Sequence, residues 1–158
     1  SEESVKFELL GGTDSGNRYL YKAKRIDNGE WVQGYYVKGS DMYEKEMHVI
    51  FKPDTIFYSH GETDGFVEID PSTICQCTGL EDRNGKLIWE NDICDRNEKY
   101  PEIVKYNDGD WQLDYSYSKG KETGFCCCNL GFYSVERKSV EVIGNIFDNP
   151  ELLKKVEE

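Results

Sequence analysis

Three dipeptides, Asn28-Gly29, Asn84-Gly85 and Asp108-Gly109, each fall between runs of β-favouring residues. Asn-Gly and Asp-Gly supply the positive φ angles that a tight reversal needs, so each pair predicts a hairpin. A chain punctuated in this way has little room for long helices. The first pair sits within RYLYKAKRIDNGEWVQGYYVK, Arg18 to Lys38, which reads as two strands reversed at Asp27-Asn28-Gly29.

The remaining chain follows the same pattern. HVIF and DTIFY predict two short strands around Lys52-Pro53, flanked by the polar loops GSDMYEKEM and SHGETDG. IDPSTICQCTGL gives a turn at Asp70-Pro71-Ser72 and then a strand through Cys75 and Cys77. NDICD, EIVKY and WQLDYSY read as a meander. In the last of these Trp111, Leu113, Tyr115 and Tyr117 alternate with polar residues, the period of a strand with one buried face. GFCCCNLGF is apolar on both faces and predicts a more central strand, and SVEVIGNIF adds one or two more. The one predicted helix is DNPELLKKVEE, with Asn149 as N-cap, Pro150 at the first position and Glu151 in the first turn. Its residues Leu152, Leu153 and Val156 should share one side. The expectation is a mainly β fold of small barrel-like antiparallel sheets with a short C-terminal helix. It would form a single domain over residues 1–158, or two β lobes of about 1–70 and 71–158.

A hydrophobic share of 37% beside 32% charged residues is the composition of a weakly driven fold, but eleven Tyr, seven Phe and three Trp argue for a packed domain. The net charge of −12 opposes binding to phosphate backbones, which depends on Lys and Arg displacing counterions. It equally opposes docking on anionic membrane and serves solubility. No apolar run approaches the ~18 residues of a membrane span, and the opening SEESVKFELL has neither the basic nor the apolar region of a signal peptide. A cytoplasmic location is the expectation, and cysteines there stay reduced. Cys75 and Cys77 should share one strand face and Cys126 and Cys128 another, but C-x-C and CCC lack the paired spacing of zinc ligands. Neither a metal nor any other cofactor is expected.

Catalytic signatures are missing from the sequence. GGTDSGN, Gly11 to Asn17, has the glycines of a phosphate loop without its Lys-Ser/Thr and without a following helix. His48 and His60 stand apart from any Ser, Cys or acid that sequence alone could assemble into a triad. The chain is therefore read as a non-enzyme with no catalytic residues.

One segment runs against the global charge. In RYLYKAKR the bases alternate with tyrosines, the combination that grips single-stranded nucleic acid by stacking and phosphate contact. Tyr19, Tyr21, Lys22, Lys24 and Arg25 are the candidate binding residues. Strand periodicity splits them, however, with Tyr19, Tyr21 and Arg25 on one face and Lys22 and Lys24 on the other. An ordinary charged strand explains that arrangement as well.

The most tightly written stretch is TGLEDRNGKLIWENDI, Thr78 to Ile93. Its acids do not fall at the alternate positions of a calcium loop, whereas Asp82, Asn84 and Gly85 are the residues of a tight reversal. Together with AKRIDNGEWVQGYYV and EVIGNIFDNPELL, this stretch resembles the YopX family, small proteins carried by phages and prophages. The match rests on Thr78-Gly79-Leu80, Asp82, Asn84-Gly85-Lys86, Ile88, Glu90 and Asp92-Ile93, and on Gly144-Asn145-Ile146 and Asn149-Pro150-Glu151-Leu152. It departs at Asn91, where the family carries Gly, and Asn tolerates the same positive φ. The resemblance implies a mostly β phage accessory protein with no established molecular activity. The resulting expectation is a non-enzymatic interaction module with a protein partner, either a host protein or a second copy of the chain. The alternatives are a small β-barrel that binds nucleic acid and an acidic decoy for a host DNA-binding protein.

If Asp82-Arg83-Asn84-Gly85 is a scaffold turn, Gly85→Val should destabilise the fold by about 1–3 kcal/mol, because a Cβ is strained at positive φ. Glu81→Gln should change stability by no more than about 0.5 kcal/mol, as exposed substitutions usually do. Thermal melts of the two variants check both values, and the reverse order would mean that the acid serves a binding site.

Overall fold

The computed structural model describes residues 17–118 and 127–154. Among these residues eleven strands dominate: β1 (Tyr21–Lys24), β2 (Trp31–Ser40), β3 (Glu46–Phe57), β4 (Thr63–Glu68), β5 (Cys75–Glu81), β6 (Leu87–Trp89), β7 (Asp92–Asp95), β8 (Glu102–Asn107), β9 (Asp110–Asp114), β10 (Cys127–Asn129) and β11 (Glu141–Asn145). They form two antiparallel sheets, ordered β4-β3-β2-β1-β5-β6 and β10-β9-β8-β7-β11. The fold is mainly β, as the turn pattern requires, and among the described residues each sheet ends in open edges. No helix among these residues is long and apolar enough to cross a membrane.

The three turn dipeptides all reverse the chain, by two different geometries. At Asp108-Gly109 both residues have positive φ, 51° and 82°, and Asn107 faces Asp110 directly across the hairpin. This is the tight two-residue reversal. At Asn28-Gly29 and Asn84-Gly85 only the glycine is left-handed, with φ of 72° and 79°. The loops are longer there, closed by Gly29 N–H to Arg25 O at 3.0 Å and Gly85 N–H to Asp82 O at 3.0 Å. Asn91 has a φ of 67°, so it holds the left-handed position expected of a Gly.

Four local expectations are corrected. HVIF and DTIFY join into the single strand β3, with Pro53 in an irregularity between Phe51 and Ile56 where the pairing to β4 is interrupted. Proline has no N–H to give to a ladder, and a bulge is where a strand tolerates it. GFCCCNLGF is not a central strand: its described part puts β10 at a sheet edge, and Phe132–Glu136 follows as a π-helical turn. The alternation from Trp111 stops at Asp114, after which Ser116–Ser118 form a 3₁₀ turn. The C-terminal helix is a 3₁₀ turn, Pro150–Leu153, and Asn149 does not cap it through its side chain. Asn149 Oδ1 instead accepts the backbone N–H of Asn145 at 3.2 Å. Val156 and Cys126 lie outside the described residues, as does the glycine stretch from Gly11 to Gly16.

Packing divides into three clusters. Ala23, Ile50 and Ile69 fill one face of the first sheet. Cys75, Cys77 and Trp89 fill the other, against Leu20, Trp31, Leu87 and Phe147. Ile88 points away from Trp89, as alternation along β6 demands, and joins Cys94, Val104, Leu113, Leu130 and Val140 in the cluster of the second sheet. Edge strand β6 thus contributes to both cores. Cys75 and Cys77 do share a strand face, and both are buried. Burial pushes the Cys75 thiol up to about 11 and raises Cys94 as well, so the thiolates needed for nucleophilic or metal chemistry are disfavoured. Among the described residues no group of three or more His, Cys, Asp or Glu side chains could hold a metal ion.

Asp82 joins the two sheets. Its Oδ1 accepts the N–H groups of Asn84 and Lys86, each at 2.9 Å, and its Oδ2 accepts that of Val142 in β11 at 3.0 Å. Burial opposes its ionisation, but the N–H groups of Val142, Lys86 and Asn84 outweigh burial and hold its pKa below the ordinary value. Hydrogen bonds to a charged group contribute about 1.5–3 kcal/mol each. Asp82→Ala should therefore destabilise the protein by roughly 3 kcal/mol or more, and Asp82→Asn by less, because one acceptor oxygen remains. Denaturant unfolding of the pair measures the difference.

Candidate functional site

The basic strand predicted as a site is resolved into separate environments. Tyr19 lies before β1 in a 3₁₀ turn, with the Arg18 guanidinium 4.8 Å from its ring centre. Tyr21 turns to the opposite face from Lys22 and packs on Tyr36, with ring centres 5.8 Å apart. Lys24 donates to Asp148 Oδ1 at 2.6 Å, and Arg25 makes two bonds to Asp27, at 2.8 and 2.6 Å. Trp31 Nε1 donates to the other Asp148 oxygen at 2.7 Å. The Lys24 and Trp31 bonds hold Asp148 at about 2, well below the ordinary carboxylate value. The five residues therefore form no continuous surface, and two of their three cations are already engaged by carboxylates.

Lys22 is the exception. Its side chain is 13% exposed and its ammonium lies 4.8 Å from the ring centre of Trp31 and 5.2 Å from that of Trp89. The nearest carboxylate oxygen is Asp92 Oδ1 at 3.9 Å, too far for a hydrogen bond. Asp92 Oδ2 accepts the Trp89 N–H at 2.8 Å. Burial raises the Asp92 pKa to about 6, with the Trp89 N–H and the Lys22 charge only partly countering it.

An aromatic surface that the sequence did not reveal lies further along the same face. In β2, Tyr35 and Val37 follow Trp31 and Gln33 at strand period, so all four project to one side. Tyr35 pairs with Phe51 in β3 and Phe51 with Phe66 in β4, giving a cross-strand row. Phe57 closes against Phe51, with ring centres 6.0 Å apart. Exposure is 48% for Tyr35, 43% for Val37, 71% for Phe57 and 52% for Phe66, so this half of the face is bare. At 150–250 Å² per aromatic side chain, the bare area is on the order of 400 Å². That matches the largest apolar patches of ordinary monomers, which are often functional. The signal lay in GYYV, HVIF and DTIFY, which carry apolar residues on both faces of strands near a sheet edge.

Among the described residues the histidines and the most buried acid make separate contacts. His48, which looked isolated, bonds Tyr36 Oη through Nδ1 at 2.6 Å and meets Glu46 at 3.3 Å. The Tyr36 ring packs on the Ala23 cluster. His60 pairs with Glu62 at 2.9 Å in the loop before β4. Glu102 is wholly buried, with Arg96 Nε donating to Oε1 at 2.5 Å, while Oε2 has no partner among the described residues. Burial raises its pKa despite Arg96.

Because the folded pKa of Asp92 exceeds the unfolded value of about 3.9, its ionisation costs folding energy. Stability from this group is full below the unfolded pKa and is lost as pH rises through about 6. A shift from 3.8 to about 6 corresponds to roughly 3 kcal/mol at neutral pH. Asp92→Asn keeps an acceptor for Trp89 and removes that cost. It should melt at or above the wild-type temperature near pH 7.5, and the advantage should shrink toward pH 4.5. Melting curves at the two pH values check this.

The YopX protein family model matches residues 20–154. No curated protein matches the chain. Among solved structures, protein EF1440 from Enterococcus faecalis is 24% identical, with a TM-score of 0.49 over 85% of this chain and 96% of its own. YopX from Bacillus subtilis is 21% identical, with a TM-score of 0.48 over 89% of this chain and 99% of its own. The family match spans nearly all the described strands and takes in the Asp82 turn and the Gly144-Asn145 segment: the chain belongs to the YopX family.

Proposed function

We propose that this YopX-family chain is a cytoplasmic, non-enzymatic accessory protein of phage or prophage that works by docking a protein partner on the bare face of β2, β3 and β4. The observation that carries this reading is the row Tyr35–Phe51–Phe66, exposed at Tyr35 and Phe66 and half-buried at Phe51, with exposed Phe57 against it. Aromatic side chains are enriched in interface cores, where a few buried anchors provide most of the binding energy. The patch, on the order of 400 Å², is half of the roughly 800 Å² that each side of a stable complex buries. The surrounding rim must supply the rest.

That rim is acidic. Asp54, Glu62, Asp64 and Glu68 lie on β3, β4 and the loop between them, and Lys38 is already paired with Glu46 at 2.6 Å. A partner with an apolar centre and a basic rim complements this surface, whereas a second copy would set acid against acid. Nucleic-acid binding would have to break the Lys24–Asp148 and Arg25–Asp27 pairs to recruit the basic strand.

The test is Phe57→Ser combined with Phe66→Ser. Both side chains are more than half exposed, so the variant should melt close to wild type. A partner captured from host lysate and purified should lose affinity for it by about thirtyfold or more, the scale of a lost hot spot. If the variant binds as tightly as wild type, the bare face is not the docking surface. Binding that ignores the variant but collapses with added salt would favour the acidic decoy. Self-association lost in the variant would favour a second copy. A labelled single strand whose binding is lost in Tyr19→Ala would favour the nucleic-acid reading.

A further inference from the structure

β6 and β11 are end strands of their sheets among the described residues, and they lie beside each other without pairing. They are tied together at both ends. At one end Arg83 N–H donates to Val140 O at 2.9 Å and Val142 N–H to Asp82; at the other Ile146 N–H donates to Asn91 O at 3.0 Å. Between the ties the strands leave a slit of about 520 Å³, lined by Lys22, Gln33, Lys86, Leu87, Val142 and Asn145 among others. This volume falls within the range of small-molecule sites. Ties at both ends mean that the slit is already formed and does not close by a simple shift of one strand.

The chemistry of the lining is unlike that of the surface. In a chain of net charge −12, two lysines reach this one cavity. Among the described residues the Lys22 ammonium makes no hydrogen bond, although the faces of Trp31 and Trp89 hold it in place. Its donors are therefore unused at a fixed position. Lys86 forms no ion pair within 4 Å among the described residues and is exposed at the other side of Leu87. Gln33 and Asn145 add amide groups, while Leu87 and Val142 offer apolar wall. Asp92 also borders the slit, but one of its oxygens is occupied by Trp89 N–H and the other stops 3.9 Å short of Lys22.

We propose that this slit binds a small oxyanion, a carboxylate or a phosphate, held by Lys22 and Lys86 with an apolar body against Leu87 and Val142. Such a ligand supplies the acceptor that Lys22 lacks. Asp92 sets a limit on affinity by like-charge repulsion, so the site favours release as well as binding. It is separate from the bare aromatic face, and its failure would leave the docking reading untouched.

Indole N–H signals in nitrogen-15 NMR give the test, because Trp31 and Trp89 flank Lys22 whereas Trp111 packs in the second-sheet cluster as an internal control. Inorganic phosphate, phenyl phosphate and benzoate are titrated separately. Saturable shifts of the Trp31 and Trp89 signals, with Trp111 unmoved, are the expected result for at least one oxyanion. Response to both phosphates alone would assign phosphate, and response to benzoate alone would assign carboxylate. Lys86→Ala, a substitution at an exposed position, should weaken binding at least about tenfold, and Asp92→Asn should tighten it several-fold. A merely structural role for these residues would not move affinity in opposite directions. The proposal is overturned if none of the three probes gives a saturable shift, or if Lys86→Ala and wild type bind alike.

Discussion

The Asp82 carboxylate accepts three backbone N–H groups, two from its own turn and one from Val142 across the boundary between the sheets. The turn is thereby locked in shape and docked on β11 by the same side chain. Arg83 lies beside it and pairs with Glu141, but an exposed ion pair contributes about 1 kcal/mol at most. Charge-assisted bonds to a buried carboxylate are each worth more than that. Asp82 therefore sets where β11 lies relative to β6. That placement lets Ile88 reach Val140 and Leu130 in a shared core. The slit between the two end strands is a consequence of the same tie.

A second constraint acts on the first sheet, which carries apolar residues on both faces. The segment after β11 covers one half of one face. Phe147 meets Trp31 edge-on, with ring centres 5.9 Å apart, and Asp148 bonds both Trp31 and Lys24. Gly144 is needed for this path, since a Cβ there would approach Asn149 Oδ1 to 2.5 Å and stop the chain folding back. The cover ends near Gln33, and beyond it Tyr35, Phe51 and Phe66 continue the face without a lid. One sheet thus provides core, cleft and bare surface in sequence along its strands.

Much of this architecture was legible because it is local. Positive φ is a property of single residues, so Gly29, Gly85, Asp108-Gly109 and Asn91 declared their turns. Asp70 accepts the Ser72 N–H at 3.0 Å just where Asp-Pro-Ser predicted a turn. What stayed hidden depends on partners distant in the chain. GFCCCNLGF reads as apolar strand by composition, yet from Leu130 the chain winds into a helical turn, with Leu130 in the core. Glu102 reads as the polar start of a strand, and only its contact with Arg96 explains a carboxylate with no exposure. Lys22 looked like one of four similar bases, and the two tryptophans that set it apart arrive from β2 and β6.

The placement of the bases gives the net charge a structural meaning. Lys24, Arg25, Lys38, Arg83 and Arg96 each lie within 4 Å of a carboxylate, as do Lys22 at 3.9 Å and Lys105 at 3.8 Å. Pairs of this kind do little for stability where they are exposed, but they weaken the pull of those particular bases on a polyanion. Asp54, Asp64 and Glu68 on β3 and β4 form no ion pair within 4 Å among the described residues. A long polyanion would meet repulsion over most of the surface, whereas a partner with a basic rim would meet attraction and an apolar centre together. A small oxyanion entering the slit would escape the same repulsion, because Lys22 and Lys86 would act on it at short range while the more distant surface acids are screened by salt. On one acidic chain the slit and the aromatic face thus differ in local charge, since each is decided within a few ångströms.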